Sequence, residues 1–168
     1  DDTLTRVEWT TEARDTADLA RRYDAWAASY DTDLLECEGY SAVVQRVMGP
    51  VQRHVPREAR ILELGCGTGL VGRALRALGY MRLEGLDLSP GMLERAAETG
   101  AYHSLRPADL NDGIPKDDAS CDAVIAVGTL TYLDPAVLFD ICRVLAPGGH
   151  VVFTFQPSVH VTRGFQEV

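Results

Sequence analysis

Apolar residues recur along this chain with two different periods, and the change between them falls at Pro56. Upstream, Leu19, Tyr23, Trp26 and Tyr30 stand at i, i+4, i+7 and i+11, one face of a helix that starts at Ala17. After Gly39 a second stripe joins Tyr40, Val43, Val44, Val47, Met48 and Val51, and Pro50 bends or ends that helix. Residues 1–15 are polar and acidic, show no apolar period and read as a loose arm.

Downstream of Pro56 short apolar runs alternate with helical stripes. Residues 60–64 (Arg-Ile-Leu-Glu-Leu) form a run ending in glycines, and Leu70 to Leu78 then places Val71, Ala74, Leu75 and Leu78 on one side of a helix closed by Gly79. The next strand is 83–87. Ser89 caps a helix with Pro90 at its first position, and Met92, Leu93, Ala96 and Ala97 face inward. A weaker strand lies at 103–108 and a strongly apolar one at 122–127, ending at Gly128. Asp134-Pro135 opens another helix, which Pro147-Gly148-Gly149 stops, and 151–155 is a fifth strand.

Strand–helix alternation over 59–156 predicts an α/β fold: a doubly wound, mainly parallel sheet with helices on both faces. Right-handed crossovers put all strand C-termini on one edge. Ligands of such sheets sit outside that edge, where the strand order reverses. The expected organisation is an N-terminal arm and helical lid over 1–55 and a Rossmann-like core over 56–168, together one structural domain.

Charge and cysteine usage narrow the function classes. The 168 residues carry a net charge of −9, which argues against a nucleic-acid substrate, because phosphate backbones are bound by basic surface. No run approaches the ~18 apolar residues of a membrane span. Cys37, Cys66, Cys121 and Cys142 show no C-x-x-C spacing and no paired histidine, so neither a metal nor a redox motif is expected, and reduced thiols point to the cytoplasm. Nothing in the pattern bears on oligomeric state.

The sharpest chemical feature is Glu63-Leu64-Gly65-Cys66-Gly67-Thr68-Gly69. Alternating glycines leave a strand and enter a helix, where bare backbone admits a ligand closely and unpaired N–H groups favour an anionic or polar group. Read from Gly67 to Gly72, the same stretch also spells G-x-G-x-x-G, which would suit a dinucleotide. Asp87 ends the second strand twenty residues after Gly67, where a carboxylate can take two ribose hydroxyls. Asp109, after the third strand, could accept from an exocyclic adenine amine.

Together these segments resemble the class I S-adenosylmethionine-dependent methyltransferases. The E-L-G-C-G-T-G loop, L-D-L-S-P-G-M-L at 86–93, A-D-L at 108–110 and L-A-P-G-G-H-V at 145–151 fit that family in order and spacing. The stretch 23–31 and the run G-T-G-L-V-G-R-A-L-R look most like the Williams–Beuren-region methyltransferase-like proteins and their bacterial relatives. The resemblance implies S-adenosylmethionine as cofactor, S-adenosylhomocysteine as product and a small-molecule methyl acceptor. It implies that Gly65, Cys66, Gly67, Thr68 and Gly69 pass beneath the methionine part, with Glu63 reaching its ammonium. Asp87 would hold the ribose, Leu88 and Met92 cover the adenine, and Asp109 and Leu110 bind its edge. Gly128 and Thr129 would border the sulfonium, and Tyr23 and Tyr30 would be lid tyrosines, Tyr30 toward the carboxylate.

Transfer to such an acceptor is an in-line displacement, for which positioning alone can supply roughly 7–11 kcal/mol of the barrier. A general base is needed only where the acceptor still carries a proton at attack, and Asp134 and His160 are the candidates. The family sheet usually has seven strands, whereas five are predicted here. Strands six and seven are therefore expected to be missing or incomplete, as in a truncated, spliced or incompletely observed chain. Two other functions stay open on these residues: a nicotinamide-dependent oxidoreductase, and a cofactor-binding scaffold without transfer activity.

Overall fold

The computed structural model describes residues 2–36 and 38–154, without the side chains of 2–5, 35–36 and 38–41. The chain runs α1 (Asp2–Thr11), α2 (Thr16–Trp26), α3 (Tyr30–Glu36), α4 (Glu38–His54), β1 (Ile61–Leu64), α5 (Leu70–Ala77), β2 (Leu83–Asp87), α6 (Pro90–Glu98), β3 (Ser104–Pro107), β4 (Cys121–Ala126), α7 (Val137–Val144) and β5 (Leu145–Phe153). A single 3-10 turn, Leu130–Tyr132, lies between β4 and α7.

The strands pair in the order β3-β2-β1-β4-β5, every pair parallel. Alternation along each strand splits the core in two. Ile61, Leu83, Ala123 and Ile125 face Val47, Met48 and Val51 of α4 and Val71 and Leu75 of α5. Leu62, Leu64, Leu86, Val124 and Ala126 face Val137, Ile141 and Val144 of α7, with Leu110, Ile114 and Leu130. Leu93 and Ala96 of α6 pack with Cys66 and Leu105. The apolar runs of β1, β2 and β4 are therefore buried on both faces, as the interior of a parallel sheet requires, whereas the edge strands β3 and β5 hold no buried residue and β5 exposes Val151 and Phe153.

The N-terminal third differs from the expectation in two places. Residues 2–11 are helical: Thr10 is buried and its hydroxyl bonds to Tyr132, while the Arg22 guanidinium lies 5.2 Å from the Trp9 ring centre. That docking is polar and cation–π, so no apolar period marks it. The expected helix from Ala17 through Tyr30 breaks after Trp26, and Tyr30 opens α3. Ser29 donates to Asp33 (3.0 Å) at this break, and the buried Trp26 indole donates to the same carboxylate at 2.6 Å. Pro50 sits inside α4, which continues to His54; Val47 and Val51 hold both sides of it against the sheet. The fifth strand begins at Leu145 with a register shift against β4, and its expected end at Phe155 lies outside the described residues.

Candidate cofactor cleft

The strand order reverses at β1, whose neighbours are β2 and β4. A cleft opens there, beyond the strand C-termini, with about 730 Å³ of space free of protein atoms, its mouth included. It is lined by Tyr23, Tyr30, Gly65, Gly67, Asp87, Leu88, Met92, Asp109, Leu110, Gly128 and Thr129. These positions, scattered over about a hundred residues of sequence, are brought together by the parallel topology. Thr16, Leu19, Ala108, Asn111, Val127, Tyr132 and Leu133 complete the lining.

The glycine loop is shaped by what side chains would meet. A Cβ on Gly65 would lie 2.3 Å from the Thr129 hydroxyl, which donates to the Leu64 carbonyl at 2.8 Å. Gly67 has φ +53° and nothing within 4 Å of the position of its absent Cβ, so its backbone faces open cleft. Asp87 fixes this loop. One carboxyl oxygen accepts from Gly67 N–H (2.7 Å) and the other from Ser89 N–H (2.9 Å). Burial raises its pKa, and the backbone donors pull the other way.

Glu63 points to the α5 side of the sheet and is buried. Its Oε2 accepts from the Tyr102 hydroxyl at 2.8 Å. Burial lifts its pKa to about 8, against the opposing pull of Tyr102. It opens on a smaller cavity shared with Tyr30, Gly65, Cys66, Gly67, Thr68 and Val127. The remaining loop positions turn away from the main cleft. The Cys66 side chain is buried against Leu93 and Ala96, and burial pushes its thiol pKa up. The Thr68 hydroxyl donates to Asp31 of α3, and Gly69 packs beside Thr99 and Tyr102 at the start of α5.

The N-terminal helices are pinned by polar contacts. Asp24 of α2 accepts from Ser89 Oγ (2.5 Å) and Gly91 N–H (2.8 Å), joining the N-cap of α6 to α2. At the cleft mouth Tyr23 donates to the Tyr132 hydroxyl (2.9 Å), which also contacts Thr10 Oγ1 (2.9 Å). Burial holds the Tyr23 phenol well above its ordinary range. Of the two candidate bases, Asp134 is exposed and accepts from Ala136 N–H (2.8 Å), an ordinary turn contact outside the cleft lining. His160 lies outside the described residues.

Sequence reasoning missed Thr10, Tyr102, Asn111 and Tyr132. Asn111 and Tyr132 follow the third and fourth strands, so the strand-end rule would have reached them two or three residues further on. Tyr102 precedes β3, on the opposite edge, and no local signal marks it.

A ligand with a purine, a ribose and a charged amino-acid end fits this donor set. Leu88, Met92 and Leu110 offer apolar walls, Asp87 and Asp109 offer carboxylates, and Gly67 leaves its cradle open. A family model described as a methyltransferase domain matches residues 61–149. Human methyltransferase-like protein 27 is 37% identical over 148 residues, covering 82% of this chain and 58% of that protein. The malonyl-(acyl-carrier protein) O-methyltransferase of Serratia marcescens is 33% identical over 149 residues, covering 86% of this chain and 56% of that protein. Among solved structures, a DhpI–SAH complex aligns with a TM-score of 0.66 at 28% identity, over 80% of this chain and 65% of that one. A TehB-like SAM-dependent methyltransferase from Corynebacterium glutamicum aligns at 0.65 and 26%, over 80% and 75%. The chain belongs to the class I S-adenosylmethionine-dependent methyltransferases. It spans less than three fifths of the length of the human and the Serratia relative.

Proposed function

We propose that the chain carries the cofactor-binding core, and residues 1–55 the lid, of an enzyme that methylates a small-molecule acceptor by in-line displacement. The observation that carries this is the convergence of Gly65, Gly67, Asp87 and Asp109 on one cleft where the strand order reverses. Asp87 would hold the ribose, Asp109 and Leu110 the adenine edge, and Glu63 with Tyr30 the amino-acid end. When bound, S-adenosylmethionine supplies an electrophilic methyl group on a sulfonium. Gly128 and Thr129, at the end of β4, would border that centre. The hydroxyls of Thr10, Tyr23 and Tyr132 close the lid over the mouth and help exclude water.

A small acceptor is supported by the ubiquinone-biosynthesis O-methyltransferase and the demethylmenaquinone methyltransferase among the relatives, and by the net charge of −9, which disfavours nucleic acid. A cytoplasmic location fits the free thiols of Cys66, Cys121 and Cys142; no helix among the described residues is long and apolar enough to cross a membrane. Incubation with methyl-labelled cofactor and a metabolite extract tests the transfer itself. A labelled small molecule that depends on the protein is expected. Cofactor binding without any labelled product, across extracts, would overturn the transferase reading in favour of a binding protein.

A further inference from the structure

We propose that Tyr102 is a positioning residue for the cofactor: its hydroxyl holds the buried Glu63 carboxyl in the orientation that receives the cofactor's ammonium group. The inference rests on the methyltransferase reading and adds to it a residue from the opposite edge of the sheet.

Tyr102 reaches Glu63 through space that two glycines leave open. A Cβ on Gly72 would lie 2.2 Å from its ring and hydroxyl, and one on Gly69 3.2 Å from its Cε2. Tyr80 shows what a purely structural tyrosine does in this fold: its buried hydroxyl donates to the main-chain carbonyls of Val51 and Val55. Tyr102 instead donates to a carboxyl that opens on a cavity beside the cleft. That bond engages Oε2 and leaves the second oxygen for an incoming donor.

Among the described residues, the titratable groups facing Glu63 are Tyr102 from before β3, Asp87 from β2, Cys66 from the glycine loop and Tyr30 across the small cavity from α3. None is cationic. A carboxyl buried there ionises readily only when a cation arrives, and ammonium is the cation the cofactor carries. Burial raises Glu63 to about 8 and the Tyr102 bond opposes the rise. Removing the hydroxyl therefore makes the carboxylate harder to form and shifts the pH range of binding upward.

The test titrates S-adenosylhomocysteine and 5′-methylthioadenosine, which lacks the amino-acid group, into wild type, Tyr102→Phe, Glu63→Gln and the double variant between pH 6 and 8.5. Tyr102→Phe is expected to weaken S-adenosylhomocysteine about tenfold at pH 7, the scale of one hydrogen bond to a charged group. The loss shrinks as pH rises, and methylthioadenosine affinity stays unchanged. In the Glu63→Gln background the Tyr102 substitution should add little, since the group it positions is gone. Wild-type affinity in Tyr102→Phe, equal losses for both ligands, or additive losses in the double variant would each overturn the proposal. Wild type binding neither ligand would instead overturn the methyltransferase reading, and the inference with it.

Discussion

A carboxyl group on the strand between Leu62 and Leu64, with a phenol as its hydrogen-bond partner, keeps its proton through neutral pH. An unfolded glutamate ionises at about 4.5, whereas Glu63 in the fold does so at about 8. Between those values the native state holds a proton that the unfolded chain has lost, so stability from this group falls as pH rises across the window. At ~1.4 kcal/mol per unit the loss across the window is on the order of 5 kcal/mol. The melting temperature of wild type should fall from pH 5 to 8, and Glu63→Gln should remove most of that slope, Asp87 supplying part of the rest. Parallel curves for the two proteins would contradict the assignment. Asp87 carries a second residue-scale prediction. Asp87→Ala leaves the N–H groups of Gly67 and Ser89 without their acceptor, at about 1–3 kcal/mol. Denaturant titration should show that loss, and the stabilisation by S-adenosylhomocysteine should disappear; stabilisation equal to that of wild type would remove Asp87 from the cleft. Gly65, Gly67 and Asp87 are legible in sequence because their spacing is local to one strand–loop–helix–strand unit. Tyr102 and Tyr132 are not, since each meets a partner about forty or more residues away in the chain, and nothing in their neighbourhoods announces it.

Among the elements, the N-terminal helices illustrate how polar anchoring escapes periodicity. The central strands β1, β2 and β4 and the helices α5, α6 and α7 announce themselves through buried apolar faces. The first helix shows no such face among its described side chains: Thr10, Trp9 and Arg22 dock it through a hydroxyl and a cation–π contact, and it reads as a loose arm. The break after Trp26 is likewise set by Ser29 and Asp33, not by any glycine or proline. The union of α2 with α6 depends on Asp24, which accepts from both Ser89 and Gly91. Asp24→Ala should release α2, seen as faster limited proteolysis within the first 55 residues with the core left intact. An unchanged cleavage rate would show that α2 is held by other contacts. Ser89→Ala removes the cap bond to Met92 N–H (3.0 Å) as well, so it should cost about 1 kcal/mol. That is roughly 2–4 °C of melting temperature for a domain of this size.

At the scale of the whole molecule, the parallel order β3-β2-β1-β4-β5 turns separate motifs into one site. Each strand delivers its C-terminal loop to the same edge, and the reversal at β1 opens the gap that a ligand fills. Strand–helix alternation and chirality predict the common edge, and the glycine loop with Asp87 marks part of the cleft; Tyr23, Tyr30, Leu88, Met92, Leu110, Gly128 and Thr129 are expected there through the family resemblance, and they line it. The small cavity behind the glycine loop is not legible in the sequence, because it depends on how α3, α5 and Tyr102 pack. The same order would serve a nicotinamide dinucleotide, so the central claim is best tested by ligand choice. Thermal unfolding of the protein with saturating S-adenosylhomocysteine, set against NAD, is the direct measurement. A ligand at a hundredfold excess over Kd stabilises by about 2.7 kcal/mol, on the order of 5–10 °C for a domain of this size. That shift is predicted with S-adenosylhomocysteine and none with NAD; a shift with NAD alone would contradict the account.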